Sequence, residues 1–232
     1  MRRFENLQHG DEVLILRSLD TLADKTTSVK AYRNAFETLG NELGKVLAQK
    51  VADIPAKETM LVCASEDADW LAKGVEMGLN KGKLPVSVYW STRETVFDNG
   101  EGDKIEISPI VMAYEEPIER CSLLIVVKSI ISSSCVVKTQ LTRLLDRIHP
   151  ELIAIIAPVM YKDGVPNLKK EFPEDVSKRF SFWTFAVDED RCGNEVIPGI
   201  GGMVYPRLGL GDMKEKNHYI PEMVKSRMQL ES

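Results

Sequence analysis

Apolar and polar positions along the chain follow two rhythms. Across residues 29–47 the apolar residues Val29, Tyr32, Phe36, Leu39, Leu43, Val46 and Leu47 recur at spacings of three and four, which predicts a long amphipathic helix. Thr26, Thr27 and Ser28 stand ahead of it as N-cap candidates. The second rhythm is the short apolar run. Residues 59–64 (TMLVCA), 85–90 (PVSVYW), 105–112, 122–127 (SLLIVV), 152–157 (LIAIIA) and 180–187 (FSFWTFAV) all read as strands. Between them, a polar turn is expected at 65–67, with helices at 68–79, at 134–148 and at 167–178. Val137, Leu141, Leu144, Leu145 and Ile148 share one face of the 134–148 helix.

The run 122–127 is nearly all apolar, as a strand covered on both faces of a parallel sheet requires, so it belongs at the centre. Strands alternating with helices give right-handed crossovers, hence an α/β fold with a mainly parallel sheet flanked by helices. A Gly- and Asp-rich turn around 98–103 suits a protruding β-hairpin arm, a common contact with a second subunit. Ligands bind such sheets beyond the carboxyl ends of the strands, which singles out the loops 65–69, 127–135 and 188–205.

Length and composition narrow the class. With 232 residues and 44% hydrophobic content, the chain is expected to form one domain, 1–212, followed by a C-terminal tail, 213–232. Ile220, Met223, Val224 and Met228 give that tail a helical spacing, suited to docking on the domain or on another subunit. The net charge of -5, without a basic run, argues against nucleic acid as a partner. No segment approaches the roughly 20 apolar residues that span a bilayer, and the first residues lack a signal-peptide pattern. Cys63, Cys121, Cys135 and Cys192 form no paired motif, which fits a reducing cytoplasm, with Cys63 and Cys121 as buried thiols.

Two segments carry candidate chemistry. Ser132, Ser133 and Ser134 follow the central strand where a helix begins, and free backbone N–H groups and hydroxyls there suit a phosphate; ordinary capping by Ser133 or Ser134 explains them equally. Residues 193–212 hold six glycines and two prolines in twenty positions, so main-chain groups could approach a planar base, or the loop could pack at a subunit interface. The acidic turn Asp188, Glu189, Asp190 reads as a divalent-metal holder or as a solvated turn. His9, His149 and His218 are scattered and receive no role.

Taken in order, these segments resemble the uracil phosphoribosyltransferase family over about residues 18–212. The family's central strand and phosphoribosyl-pyrophosphate loop, roughly LIVDPMLATGGS, matches residues 124–135 (LIVVKSIISSSC) without a gap. Its base-recognition segment, roughly IPGLGDAGDRLFG, is similar to residues 197–209 (IPGIGGMVYPRLG). Its pyrophosphate loop, roughly VPILRAGLG, corresponds to residues 62–70 (VCASEDADW), and its Tyr-Arg segment to residues 88–96 (VYWSTRETV). The resemblance implies phosphate contacts from Lys128, Ser132, Ser133, Ser134 and Cys135, and base contacts from Ile197, Gly199, Ile200 and Gly201. It also implies a homodimer built through the hairpin arm.

The departures lie at ligand-contacting positions. Val127 stands where the family has an acidic residue for the ribose hydroxyls, and it accepts no hydrogen bond. Glu66 replaces the arginine of the pyrophosphate loop, with Asp67 and Asp69 beside it, turning a cationic clamp anionic. Gly202 replaces an acidic residue, and Trp90 takes the arginine's place in the Tyr-Arg segment, with Arg93 nearby. Lys128 replaces a proline and either reaches a phosphate or faces solvent. Phosphoribosyl transfer is largely electrostatic catalysis assisted by Mg²⁺. The expectation is therefore a diverged protein without ordinary transfer, binding a phosphate-bearing or nucleotide-like ligand as a regulatory or accessory subunit, with a protein partner as a further option. Two alternatives stay open. One is an active transferase with an unusual substrate, which would use Mg²⁺. The other is a structural subunit of a larger assembly whose pocket is filled by Met203 and Tyr205.

Overall fold

The computed structural model describes residues 1–97 and 104–228. Its strands are β1 (Arg2–Phe4), β2 (Thr59–Ala64), β3 (Val86–Ser91), β4 (Glu94–Phe97), β5 (Lys104–Ile107), β6 (Ile110–Glu115), β7 (Leu123–Val127), β8 (Ile130–Ile131), β9 (Leu152–Ile156), β10 (Val159–Tyr161), β11 (Phe180–Trp183), β12 (Ala186–Asp188), β13 (Asp190–Cys192) and β14 (Glu195–Ile197). Its α-helices are α1 (Glu12–Ala23), α2 (Val29–Ala48), α3 (Ser65–Asp67), α4 (Lys73–Leu79), α5 (Cys135–Leu145), α6 (Gly164–Lys170), α7 (Glu174–Ser177), α8 (Val204–Arg207), α9 (Met213–His218) and α10 (Glu222–Met228).

The main sheet runs β11-β9-β7-β2-β3-β6, with β7 inside it as its apolar run demands. Neighbours pair in parallel throughout except at the β6 edge, which is antiparallel to β3. Alternate residues feed opposite cores, the period-two consequence of the pleat. Leu61, Cys63, Ile125, Val127, Ala154 and Ile156 face the helices α1, α2 and α4, where Ile15, Leu19, Phe36, Leu43 and Val75 meet them. Met60, Val62, Leu124, Val126, Ile153 and Ile155 face α5 and α6, against Val137, Leu141, Leu144 and Leu168. Each fully buried Leu or Ile contributes about 1.5–3 kcal/mol relative to exposure, so this double layer dominates stability. The α/β class expected from the pattern is the fold observed.

On one face α2 and α4 cross at reciprocal glycines. A Cβ on Gly40 would lie 2.3 Å from the Leu71 carbonyl oxygen, and one on Gly44 would lie 2.4 Å from that of Val75. From the other side, Gly74 meets the Glu37 carbonyl and Gly78 that of Asn41 just as closely. The two backbones touch without intervening side chains. This close seat fixes α4, and with it the segment that enters α4 from the end of β2.

A second sheet, β1-β12-β10-β8, is absent from the expectations because its strands are only two or three residues long and carry no measurable alternation. It holds the loop after β7 in place by pairing β8 with β10. Other expectations shift. Residues 65–67 are helical rather than a polar turn, and a π-helical turn, Ala68–Ala72, joins them to α4. The 134–148 helix is shorter, Cys135–Leu145, and Ser134 at its N-cap makes no capping hydrogen bond. The helix expected at 167–178 is two short helices, broken where Pro173 precedes α7 and cannot donate an N–H. The run 180–187 divides between β11 and β12, which belong to different sheets. β4 and β5 pair antiparallel as an arm, while the turn expected at 98–103 lies outside the described residues. No helix among the described residues is long and apolar enough to cross a membrane.

Candidate functional site

Strands β2 and β7 end side by side, and each leads directly into buried charge. Glu66 and Asp67 leave β2 in α3, Lys128 leaves β7, and Lys216 arrives from α9. All four are at least nine-tenths buried. Lys128 Nζ lies 2.7 Å from Asp67 Oδ2 and 3.5 Å from Glu66 Oε1. Lys216 Nζ lies 3.3 Å from Glu66 Oε2 and donates to the Ser91 carbonyl oxygen at 2.9 Å. Asp67 also accepts from the Ser129 backbone N–H at 3.2 Å, tying the loop after β7 to α3. Two carboxylates and two ammonium groups thus close a neutral cluster.

The electrostatics arise from burial and pairing. Burial alone would raise Glu66, but Lys128 and Lys216 hold it below the usual carboxylate range. At Asp67 burial prevails and the carboxyl stays raised, with Lys128 opposing and Glu66 reinforcing. Burial would lower Lys128, yet Asp67 and Glu66 outweigh it and keep the ammonium charged. Cys63, beneath the cluster, is pushed well up by burial and by Asp67 and Glu66, so its thiol is inert. Lys128 lines the cavity floor with its ammonium on Asp67 and Glu66 instead of facing solvent, and the anionic loop expected from Glu66 and Asp67 is neutralised by two lysines. The signal for Lys216 is weak in the sequence, since a charged residue in a tail predicts a solvated face.

Above this cluster opens a cavity of about 470 Å³. Its polar lining includes Thr92, Arg93, Ser129, Ser132 and Asn194; its apolar lining includes Ile130, Val136, Met203, Tyr205 and Met213. Met203 and Tyr205 line the space without filling it, against the expectation for a purely structural subunit. The glycine-rich wall is held from behind. Arg2 forks onto Asp188 at 2.7 and 2.8 Å and donates to the Gly199 carbonyl at 2.8 Å, while Gly199 N–H donates to Asp188 at 2.8 Å. Tyr32 donates to the Ile200 carbonyl at 2.9 Å. Asp188 is thereby fully buried and structural, rather than part of a solvated acidic turn.

The structure brings some expected residues together and leaves others apart. Glu66, Lys128, Ser132, Ile200 and Gly202 line the cavity. Ser133 is exposed outside it, and Ser134 donates to Glu171 at 3.1 Å. Glu171, also paired with Lys138, already supplies an anion at the start of α5, and it is lowered chiefly by Lys138. Cys135 opens α5, its carbonyl accepting from Thr139. Ile197, joined to Pro198 by a cis peptide bond, ends β14 of the β13–β14 hairpin, and Gly199 and Gly201 sit behind the wall. Val127 is sealed in the core on the α1–α2 side, and Trp90 is buried with its Nε1 donating to the Tyr219 carbonyl at 2.7 Å. Gly202 has φ of 109°, where side-chain-bearing residues are strained, and a Cβ there would meet Glu195 Oε1 at 2.9 Å. An acidic residue at that position would be strained.

The Mg²⁺ implied by the resemblance finds no seat. Glu66 and Asp67 spend their oxygens on lysines and the Ser129 N–H. Asp69 accepts from Tyr219 and from the backbone N–H groups of Glu222 and Met223. No group of three or more His, Cys, Asp or Glu among the described residues is arranged to hold a metal ion.

No protein-family model matches the chain, and no curated protein matches it. Among solved structures, the fold is similar to that of the AQ2163 protein from Aquifex aeolicus, with 16% identity, a TM-score of 0.61, and coverage of 84% of this chain and 93% of that one. It is more distantly similar to L. donovani hypoxanthine-guanine phosphoribosyl transferase, at 12% identity, TM-score 0.39, and 66% and 77% coverage. Similarity to the Giardia lamblia APRTase is comparable, at 13% identity, TM-score 0.38, and 66% and 81% coverage. These likenesses concern the mostly parallel sheet and its flanking helices.

Proposed function

We propose that this chain is a diverged protein of the uracil-phosphoribosyltransferase type that binds a small phosphate-bearing or nucleotide-like ligand without ordinary phosphoribosyl transfer. It acts as a regulatory or accessory subunit in the cytoplasm, and the β4–β5 arm serves a homodimer. The observation that carries this reading is an open cavity whose buried cations are already committed. Transfer from phosphoribosyl pyrophosphate needs positive groups that strengthen their hold on a departing pyrophosphate. Lys128 and Lys216 are fixed on Glu66 and Asp67 and have no charge to spare. Arg93, Thr92 and Ser132 remain for a resting ligand.

Calorimetric titration with phosphoribosyl pyrophosphate, pyrophosphate, UMP and UTP, followed by a pyrophosphate-release assay on whatever binds, tests the reading. Binding without release is expected. Release of pyrophosphate in the presence of a nucleobase would establish an active transferase instead, and no binding at all would turn attention to a structural role.

A further inference from the structure

The acidic residues at the end of β2 are held by lysines and are not left open to a divalent cation. Lys128 Nζ and Lys216 Nζ approach the Glu66 carboxylate from its two oxygens, at 3.5 and 3.3 Å, and Lys128 also holds Asp67 at 2.7 Å. An ammonium group at such distances supplies the charge that a bound metal would supply, without coordination geometry. Lys216 is 3% exposed and Glu66 7%, so solvent reaches them only through the cavity that both line.

The cavity's other charged side chains are mostly paired. Lys128 and Lys216 offset Glu66 and Asp67. Glu195, on the glycine-rich side, is paired with Lys25 at 3.1 Å. Arg93 also lines the cavity, and no carboxylate among the described residues lies within ion-pair distance of it. Among the described residues, Arg93 is thus the lining cation that is not committed to a carboxylate.

Resting on the reading of the cavity as a small-ligand site, we propose that it binds its ligand without any divalent cation, through one oxyanion group facing Arg93, with Lys128 and Lys216 standing where a metal would be required. A phosphate monoester carries about -1.5 to -2 at pH 7, so Arg93 offsets part of that charge and hydrogen bonds from Thr92 and Ser132 meet the rest. A diphosphate adds roughly one further negative charge with no other uncommitted cation among the described lining residues to meet it, and the carboxylates that could take its metal are already paired with lysines. The apolar lining, Ile130, Met203, Tyr205 and Met213, takes the uncharged body of the ligand.

The test has two arms. In the first, UMP, UDP and pyrophosphate are titrated calorimetrically into the full chain in EDTA and again in millimolar Mg²⁺. The expected result is a UMP affinity equal within about twofold in the two buffers, with UDP and pyrophosphate at least tenfold weaker. Binding that appears only with Mg²⁺, or a preference for the diphosphates, overturns the proposal while leaving ligand binding itself established. In the second arm, Mn²⁺ alone is titrated and followed by its paramagnetic resonance signal. The wild-type chain should take up none at millimolar concentration, whereas Lys216→Met, or Lys128→Met should the first variant fail to fold, should gain a Mn²⁺ site at Glu66. Mn²⁺ uptake by the wild type that is abolished by Glu66→Gln overturns the proposal even if none of the nucleotides binds, an outcome that separately defeats the function proposed above.

Discussion

Gly78 of α4 lies so close to Asn41 of α2 that a Cβ on the glycine would stand 2.1 Å from the Asn41 carbonyl oxygen. Backbone cannot yield there as a side-chain tip could, so any added atom must push the helices apart. Gly78→Ala should therefore destabilise the protein by about 3 kcal/mol despite alanine's higher helix propensity, because overpacking in a dense interior outweighs propensity. Denaturant unfolding measures it, and an unchanged midpoint would mean that the helices are not in backbone contact.

The charge cluster makes an opposite pair of expectations. Lys216→Met alone leaves Glu66 under-compensated in a buried setting, and removing one partner of a buried pair typically costs about 3–5 kcal/mol. Removing both charges, in Glu66→Gln with Lys216→Met, should recover more than half of that loss. A double-mutant cycle of unfolding free energies reads the coupling, and additive losses would show that the two groups do not interact.

Asp69 works on the tail rather than the cavity. Its carboxylate accepts from Tyr219 and from the N–H groups that open α10, Glu222 at 2.9 Å and Met223 at 2.9 Å. Asp69→Ala should cost about 1–2 kcal/mol, as loss of a helix cap does, and should expose α10 to limited proteolysis. Proteolysis at the wild-type rate would detach Asp69 from this role.

Acid stability has a specific contributor. Burial would raise Glu115, but hydrogen bonds from Arg143, Tyr89 and Arg147 bring it down from 4.5 to about 2. A depressed carboxylate stabilises the fold fully above its ordinary value and loses that contribution as pH falls from 4.5 toward 2. Because both arginines are half exposed, screening reduces the gain to about 1–2 kcal/mol. Glu115→Gln should flatten the unfolding free energy across that interval and leave its slope above about pH 5 unaltered; a wild-type acid profile in the variant would remove Glu115 from the account.

The parts of the fold legible in the chain divide from the rest along a physical line. Strands such as 59–64 and 152–157 and the helix 29–47 announce themselves because burial is written in consecutive side chains. Ser65, Glu66 and Asp67 carry the composition of a solvated turn, yet they are buried, because their compensation comes from Lys128 and Lys216, distant in sequence. A local window cannot contain that partnership. The same holds for Arg2 and Asp188, which brace the glycine-rich wall across nearly the whole chain. The loop after β7 and the glycine-rich segment are legible as walls of a cavity, with Ser132, Ile200 and Gly202 on its surface. Which hydroxyls face inward is not, since β8 and its pairing with β10 set that rotation.

Glu66 and Lys216 are 150 residues apart. During synthesis the carboxylate emerges long before its second cation, and it has to wait, solvated, while most of the sheet is translated. The burial of Glu66 is fully compensated only once α9 is in place. Any product that stops short of Lys216 carries one buried negative charge too many, so the tail certifies that the chain is long enough to be sealed.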